Sequence, residues 1–298
     1  MNVRELTQPG PIIVGVERSE RSRDALALAR TLARAAGTRL ILVAVYPRDA
    51  RSLSIERGAY AKTLVDEAQA TLESLAGLLD GVRAELRAVP SVSVSRGLRQ
   101  VAIDEGALAI VVGPSHRGTI GQVVPGSVAA RLLHGAPCPV AVAPNGYADG
   151  PQAALRRIGV GYDGTPEAAE ALSAALGLAM CTGAAIRVLS VDEPVVPTAA
   201  MLLELGHSEH EARARTQLTE SLRSAIEDAP APVEISGDVV DGYADDELAR
   251  LSAEVDLLIC GSRGHGPLGG VLLGSVSAGV LRKARGPAEL RPHTQAVA

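Results

Sequence analysis

At 298 residues the chain has the length of about two ordinary domains, and 47% of it is hydrophobic. Phe and Trp are absent and the net charge is −5, which argues against nucleic acid as a partner: duplexes need a basic surface, and single strands need aromatic platforms. No apolar run is long enough for a bilayer. MNVRELTQPG at the start has no signal-type core, and Cys138, Cys181 and Cys260 form no CxxC pair, so a cytoplasmic, reducing location is expected.

Taken in chain order, Pro11–Val16 reads as a strand covered on both faces, because its apolar run is continuous. Ser19 or Ser22 is expected to cap the next helix, whose stripe is Ala25, Leu26, Ala29, Leu32, Ala33 and Ala36, with Gly37 as its stop. Leu40–Val45 is a second strand and Pro47–Ser54 a loop. A long helix then carries Leu64, Ala68, Leu72, Leu75 and Leu79. A third strand lies within Val82–Val94, with limits blurred by Pro90. Leu98–Glu105 is a short helix, Leu108–Val112 a fourth strand, Val128–Leu133 a helix and Val140–Ala143 a fifth strand.

Turn chemistry in Asn145–Gln152 (NGYADGPQ) marks a linker between units expected at 1–147 and 153–298. The pattern then starts again. Ile158–Tyr162 is a strand, and Thr165-Pro166-Glu167 is a strong helix start: a cap, a first-turn Pro and an acid near the positive end of the dipole. Leu172, Leu176 and Met180 are expected to be buried, and Gly183 ends the helix. Ile186–Val191 is the next strand, Leu218, Leu222 and Ile226 mark a long helix, and Val233–Val240 is a strand interrupted at Gly237. Leu248 and Leu251 belong to a short helix, Leu257–Cys260 to a strand. Alternating strands and helices give parallel sheets with right-handed crossovers, so each half is expected to be a doubly wound α/β unit.

The repetition is visible residue by residue. IVVGPSHRGTIGQVVPGSVA at 110–129 aligns without a gap on 258–277, at a constant offset of 148. Gly113, Gly118, Gly121, Gly126, Ser127 and Val128 thereby match Gly261, Gly266, Gly269, Gly274, Ser275 and Val276. A strand feeding a glycine loop and a helix N-terminus suits an anion, through free N–H groups and the helix dipole. Gly261 and Gly264 are expected to turn with φ > 0 and to admit a phosphate. Ser275 is expected both to cap the helix and to donate to a phosphate oxygen. Asp163, after the first strand of the second half, is placed to accept from a nucleoside, and the Val191 backbone to meet an adenine edge.

This constellation (GxxG, nine residues, GS, and an acid after strand one) resembles the universal stress protein family, over nearly the whole chain and twice. The resemblance implies a tandem member with two Rossmann-like, adenine nucleotide alpha hydrolase-like domains, binding ATP, with Mg²⁺ as an optional companion. It implies that Gly261, Ser262, Gly264, Gly274, Ser275, Val276 and Ser277 hold phosphates and ribose, with Asp163 and Val191 on the nucleoside. In the first half the corresponding set is Glu17, Val45, Gly113, His116, Gly126 and Ser127. That half departs from the pattern at Glu17 for Asp163, Arg18 for Gly164, His116 for Gly264 and Ala129 for Ser277. The resemblance further implies an intramolecular pseudo-dimer joined through the last strands, and a homodimer is an open possibility. The last strand of the first half reads PVAVAP, but its counterpart Pro287–Pro292 reads PAELRP, whose Glu289 and Arg291 put charges where the halves are expected to pair.

Rival readings have weaker support. Gly264-x-Gly266-x-x-Gly269 matches a dinucleotide string but follows the fourth strand rather than the first. No GKS or GKT follows a glycine loop, no GxSxG elbow occurs, and Asp163 lacks the second carboxylate of a receiver-type metal site. His207-x-x-His210 with Glu211 reads as a solvated helix face rather than a metal site. The resemblance therefore implies an ATP-binding, nucleotide-responsive module for stress adaptation and regulation rather than an enzyme. The alternatives are a slow ATP hydrolase or phosphotransferase, and a scaffold that binds no nucleotide.

Overall fold

The computed structural model describes residues 9–48, 55–115, 121–123, 126–150, 154–194, 207–230, 232–262 and 274–291; for 55–61 and 207–212 it describes only the helical backbone. The first half runs β1 (Ile12–Val16), α1 (Arg21–Ala36), β2 (Leu40–Pro47), α2 (Ile55–Ala76), β3 (Ala84–Ser91), α3 (Val94–Asp104), β4 (Ala109–Val112), α4 (Ser127–Leu133) and β5 (Val140–Val142). The second runs β6 (Arg157–Gly161), α5 (Pro166–Thr182), β7 (Ala185–Asp192), α6 (His207–Glu227), β8 (Ile235–Asp241), α7 (Ala244–Ser252), β9 (Leu257–Gly261), α8 (Ser275–Lys283) and β10 (Ala288–Arg291).

Each half is a parallel sheet, ordered β3-β2-β1-β4-β5 and β8-β7-β6-β9-β10. The reversal of direction beside β1 and β6 is that of a doubly wound fold. Ala288, Glu289 and Leu290 of β10 run antiparallel to Val142, Ala141 and Val140 of β5, which makes one ten-stranded sheet. One face buries Leu26, Leu72, Leu172 and Leu222, from α1, α2, α5 and α6. The other buries Leu98, Leu132, Leu251 and Leu281, from α3, α4, α7 and α8. Coverage on both faces accounts for the unbroken apolar strands IIVGV, AIVV and LLICG.

Several local expectations change. Neither Ser19 nor Ser22 caps α1, whose N-cap is Glu20 without a side-chain bond. Ser22 instead accepts from the Glu17 N–H at 2.8 Å and donates to the Glu17 carbonyl at 2.7 Å, pinning the end of β1. Gly37 and Gly183 do end their helices, at φ +63° and +72°. Met180 is 63% exposed, whereas Leu172 is buried as expected and shares the buried stripe of α5 with Ala168, Ala171, Ala175 and Ala179. Gly237 interrupts nothing. It lies within β8, where an added Cβ would sit 2.5 Å from Ile226 Cδ1, so it lets α6 approach the strand. Pro90 lies inside β3, an edge strand, where a missing N–H costs no ladder bond on the open side.

Glu289 and Arg291 do not prevent the β5–β10 pairing. Glu289 is 3% exposed and accepts from Arg291 Nε at 2.9 Å, so its charge enters the seam already paired. The described part of the segment expected as a linker, residues 145–150, is tied down. Asp24, buried on α1, accepts from the Gly146 and Ala148 N–H groups at 3.0 and 2.8 Å, holding a 3-10 turn over Tyr147–Asp149. Asp256 accepts from the Arg156 and Arg157 N–H groups, both at 2.8 Å.

Candidate functional site

Where strand order reverses, the crevice beyond the carboxyl ends of the strands is the place for a ligand. Each half has a cavity there. In the second half it measures about 230 Å³, walled by Asp163 after β6, Leu189 and Val191 of β7, Cys260 and Gly261 of β9, and Gly274, Val276 and Ser277 around the start of α8. The first-half cavity measures about 770 Å³. Glu17, Val45, Gly113, Gly126 and Ser127 all line it, with Val128 and Ala129 of α4.

The placement of the second-half residues depends on local bonds. Thr165 caps α5 by accepting from the Ala168 N–H at 3.3 Å, with Pro166 in the first turn. Its own N–H and hydroxyl reach Asp163 Oδ1 at 3.1 and 2.5 Å, which fixes that carboxylate at the rim. Ser277 is buried and donates to the Gly261 carbonyl at 3.1 Å, tying the end of β9 to α8. Burial above all pushes the Cys260 thiol up to about 12, against a lowering bond from Gly161 and with a further push from the Asp163 charge, so its thiolate is disfavoured.

Two expectations about the loop residues are corrected. Gly261 does not have positive φ, and neither does Gly113. An added Cβ on Gly261 would lie 2.8 Å from the carbonyl carbon and oxygen of Glu167, and one on Gly113 2.5 Å from the Arg21 oxygen. Both glycines therefore let strand ends abut the first turns of α5 and α1. Ser275 does not cap α8; Gly274 is the N-cap, at φ −63° and ψ 156°, and Ser275 is the exposed first helical residue. Ser262 is 1% exposed and lies outside the cavity wall. Its hydroxyl donates to the Arg291 carbonyl at 2.9 Å, so it fastens β10. Gly264 and His116 lie outside the described residues, as do Gly118, Gly266 and Gly269.

The structure also brings in residues that the sequence reading did not assign to a site. Glu167 and Glu193 share the second cavity with Asp163, so that acid is not alone. Among the described residues no cluster of three or more His, Cys, Asp or Glu is arranged to hold a metal ion. Arg21 lines the first cavity in the place Glu167 has in the second; the spacing that relates Glu17 to Asp163 relates Arg21 to Glu167 as well. Glu67 and Thr71 of α2 line the first cavity too, and periodicity had marked that helix only by its apolar stripe.

The model of the universal stress protein family matches residues 10–144 and again 154–288. The chain belongs to the universal stress protein family. A universal stress protein of Mycobacterium tuberculosis strain H37Rv is 34% identical over 187 residues, covering 63% of this chain and 62% of that relative. One from Mycobacterium bovis is 28% identical over 297 residues, covering 94% of this chain and 99% of its own length. Among solved structures, a universal stress protein from Archaeoglobus fulgidus superposes with TM-score 0.69 at 19% identity, over 95% of this chain and 98% of its own. That likeness concerns the fold. Among the described residues no helix is long and apolar enough to cross a membrane.

Proposed function

We propose that this universal stress protein is a regulatory module that binds adenine nucleotides, ATP among them, and changes conformation or association in response. The observation that carries this reading is the pair of clefts at the strand ends, each edged by a glycine that leaves an extended approach to the next helix: Gly126 at φ −72° and Gly274 at φ −63°. Among the described residues an added Cβ on Gly126 would meet nothing closer than 3.8 Å, so their packing does not demand glycine there, whereas a ligand phosphate would. In the second half Asp163 and Val191 would face the nucleoside, with Gly261, Gly274, Ser275, Val276 and Ser277 toward the phosphates. The side chains of Ser262 and Ser277 are left out as donors, because their hydroxyls donate to the Arg291 and Gly261 carbonyls. In the first half Glu17, Val45, Gly113, Gly126 and Ser127 would take these parts. We place the two halves, joined through β5 and β10, in one intramolecular pseudo-dimer, so that occupancy of one cleft can bias the other.

Isothermal titration of ATP–Mg²⁺ into the full chain, beside a Gly126→Val/Gly274→Val variant, tests this. Binding by the parent chain and its loss in the variant are expected, with both proteins melting cooperatively. No binding by the parent would leave a scaffold, and steady release of ADP and phosphate would make the protein a hydrolase.

A further inference from the structure

The two clefts differ in charge and depth at equivalent positions. The second carries three carboxylates, Asp163, Glu167 and Glu193, and no cation among its described lining residues. The first balances Glu17 and Glu67 with Arg18 and Arg21. Arg21 stands where Glu167 does, and its backbone packs against Gly113 at the start of the strand-four loop, as Glu167 packs against Gly261. The side chain of Arg21 is 22% exposed and reaches Glu17 at 3.5 Å, a partly solvated contact that a phosphate oxygen can share.

Depth follows one side chain. Tyr162 in the second half has Val16 as its counterpart in the first. The Tyr162 ring is buried, and its hydroxyl lies 3.4 Å from Ser221 Oγ on α6, so the ring fills the gap between β6 and that helix. Val16 is the smaller side chain at that place, and Glu67, Ala68 and Thr71 of α2 line the first cavity. Small-molecule sites occupy about 300–1,000 Å³; the first cavity, about 770 Å³, falls in that range, and the second, about 230 Å³, falls short of it.

Resting on the nucleotide reading above, we infer that the clefts divide ligands by phosphate number. The first half takes a nucleoside di- or triphosphate, with Arg21, beside Gly113 at the start of the glycine loop, on the phosphates; the second takes a nucleoside or monophosphate, with Glu167 turning away extra negative charge. The half that departs further from the family pattern is thereby the triphosphate site. Rejection by a like charge is as effective a source of selectivity as attraction by an opposite one.

The test titrates ATP and AMP, in magnesium-free buffer, into the full chain with one cleft blocked at a time: Gly274→Val leaves the first cleft, Gly126→Val the second. The first cleft is expected to bind ATP at least tenfold more tightly than AMP, and the second to show the reverse order. Loss of a charge-assisted phosphate contact corresponds to roughly 10- to 100-fold in affinity. Arg21→Glu, which installs the residue that α5 already tolerates at that place, should narrow the ATP preference of the first cleft by this factor. Glu167→Arg should widen acceptance of ATP by the second. Equal affinities for ATP and AMP in both clefts, or an Arg21→Glu variant with an unchanged ratio, overturn the division of ligands while leaving nucleotide binding intact. Failure of the unblocked chain to bind either nucleotide overturns the nucleotide reading and this inference with it.

Discussion

Gly113 follows β4 and Gly261 ends β9, where an added Cβ would lie 2.5 Å from the Arg21 oxygen and 2.8 Å from the carbonyl of Glu167. Gly126 is the N-cap of α4, and among the described residues nothing lies closer than 3.8 Å to such an atom. Although the glycines share one motif, the first two serve packing and the third leaves the cleft open. Gly261→Ala should therefore cost about 1–3 kcal/mol of stability, because backbone must move to make room. Gly126→Ala should stay within about 0.5 kcal/mol, and any fall in its nucleotide affinity would then belong to the site. Urea unfolding of the two variants checks this; equal losses would remove the distinction. The cysteines divide in a similar way. Burial, chiefly, pushes the thiols of Cys138 and Cys260 up to about 12, while Cys181 is exposed on α5. At pH 8 a thiol-specific reagent should modify Cys181 alone in the native chain and all three cysteines after denaturation.

At the scale of elements, what the sequence reveals depends on how local the cause is. Thr165-Pro166-Glu167 announces α5 because a cap, a first-turn Pro and a first-turn acid act within one turn, and the structure has that cap. Gly37 and Gly183 are legible for the same reason. Ser262 is not: β10 lies 29 residues away in sequence, and only that distant carbonyl decides where its hydroxyl goes. Met180 fails similarly, since helical period allows two faces and the one with Leu172 and the alanines of α5 is the one buried. The NGYADGPQ stretch has the composition of a free linker, yet Asp24, 122 residues before Gly146, ties it to α1. Asp24→Ala removes two charge-assisted acceptors from that turn and should cost about 2 kcal/mol. The same change at exposed Glu20 should cost almost nothing. Amide hydrogen exchange should locate the effect, with faster exchange at Gly146 and Ala148 and little change in β1. Uniform acceleration over the half would mean that Asp24 supports α1 rather than the linker.

For the whole molecule the seam matters most, because β5 and β10 are short strands of three and four residues and carry the sheet from one half to the other. Ala288 and Leu290 give the pairing one apolar face, and the duplication would lead one to expect another aliphatic residue at 289 to match Ala141. Glu289 stands there instead, with a side chain 4% exposed, and Arg291 at 24% is its partner. A buried carboxylate left without its cation destabilises far more than the intact pair stabilises, since the desolvation cost remains while the attraction is lost. Arg291→Ala should therefore cost about 3 kcal/mol. Replacing both members, as Glu289→Leu with Arg291→Leu, should return most of that loss, because no charge is then left to desolvate. The backbone carbonyl of residue 291 persists in every variant, so the bonds from the Ser262 N–H and hydroxyl, at 2.8 and 2.9 Å, are not what the comparison measures. Urea unfolding of the parent, the single and the double variant closes the cycle. If the double variant is as unstable as Arg291→Ala alone, the pair is not the cause, and the arginine acts through packing of its stem against the seam.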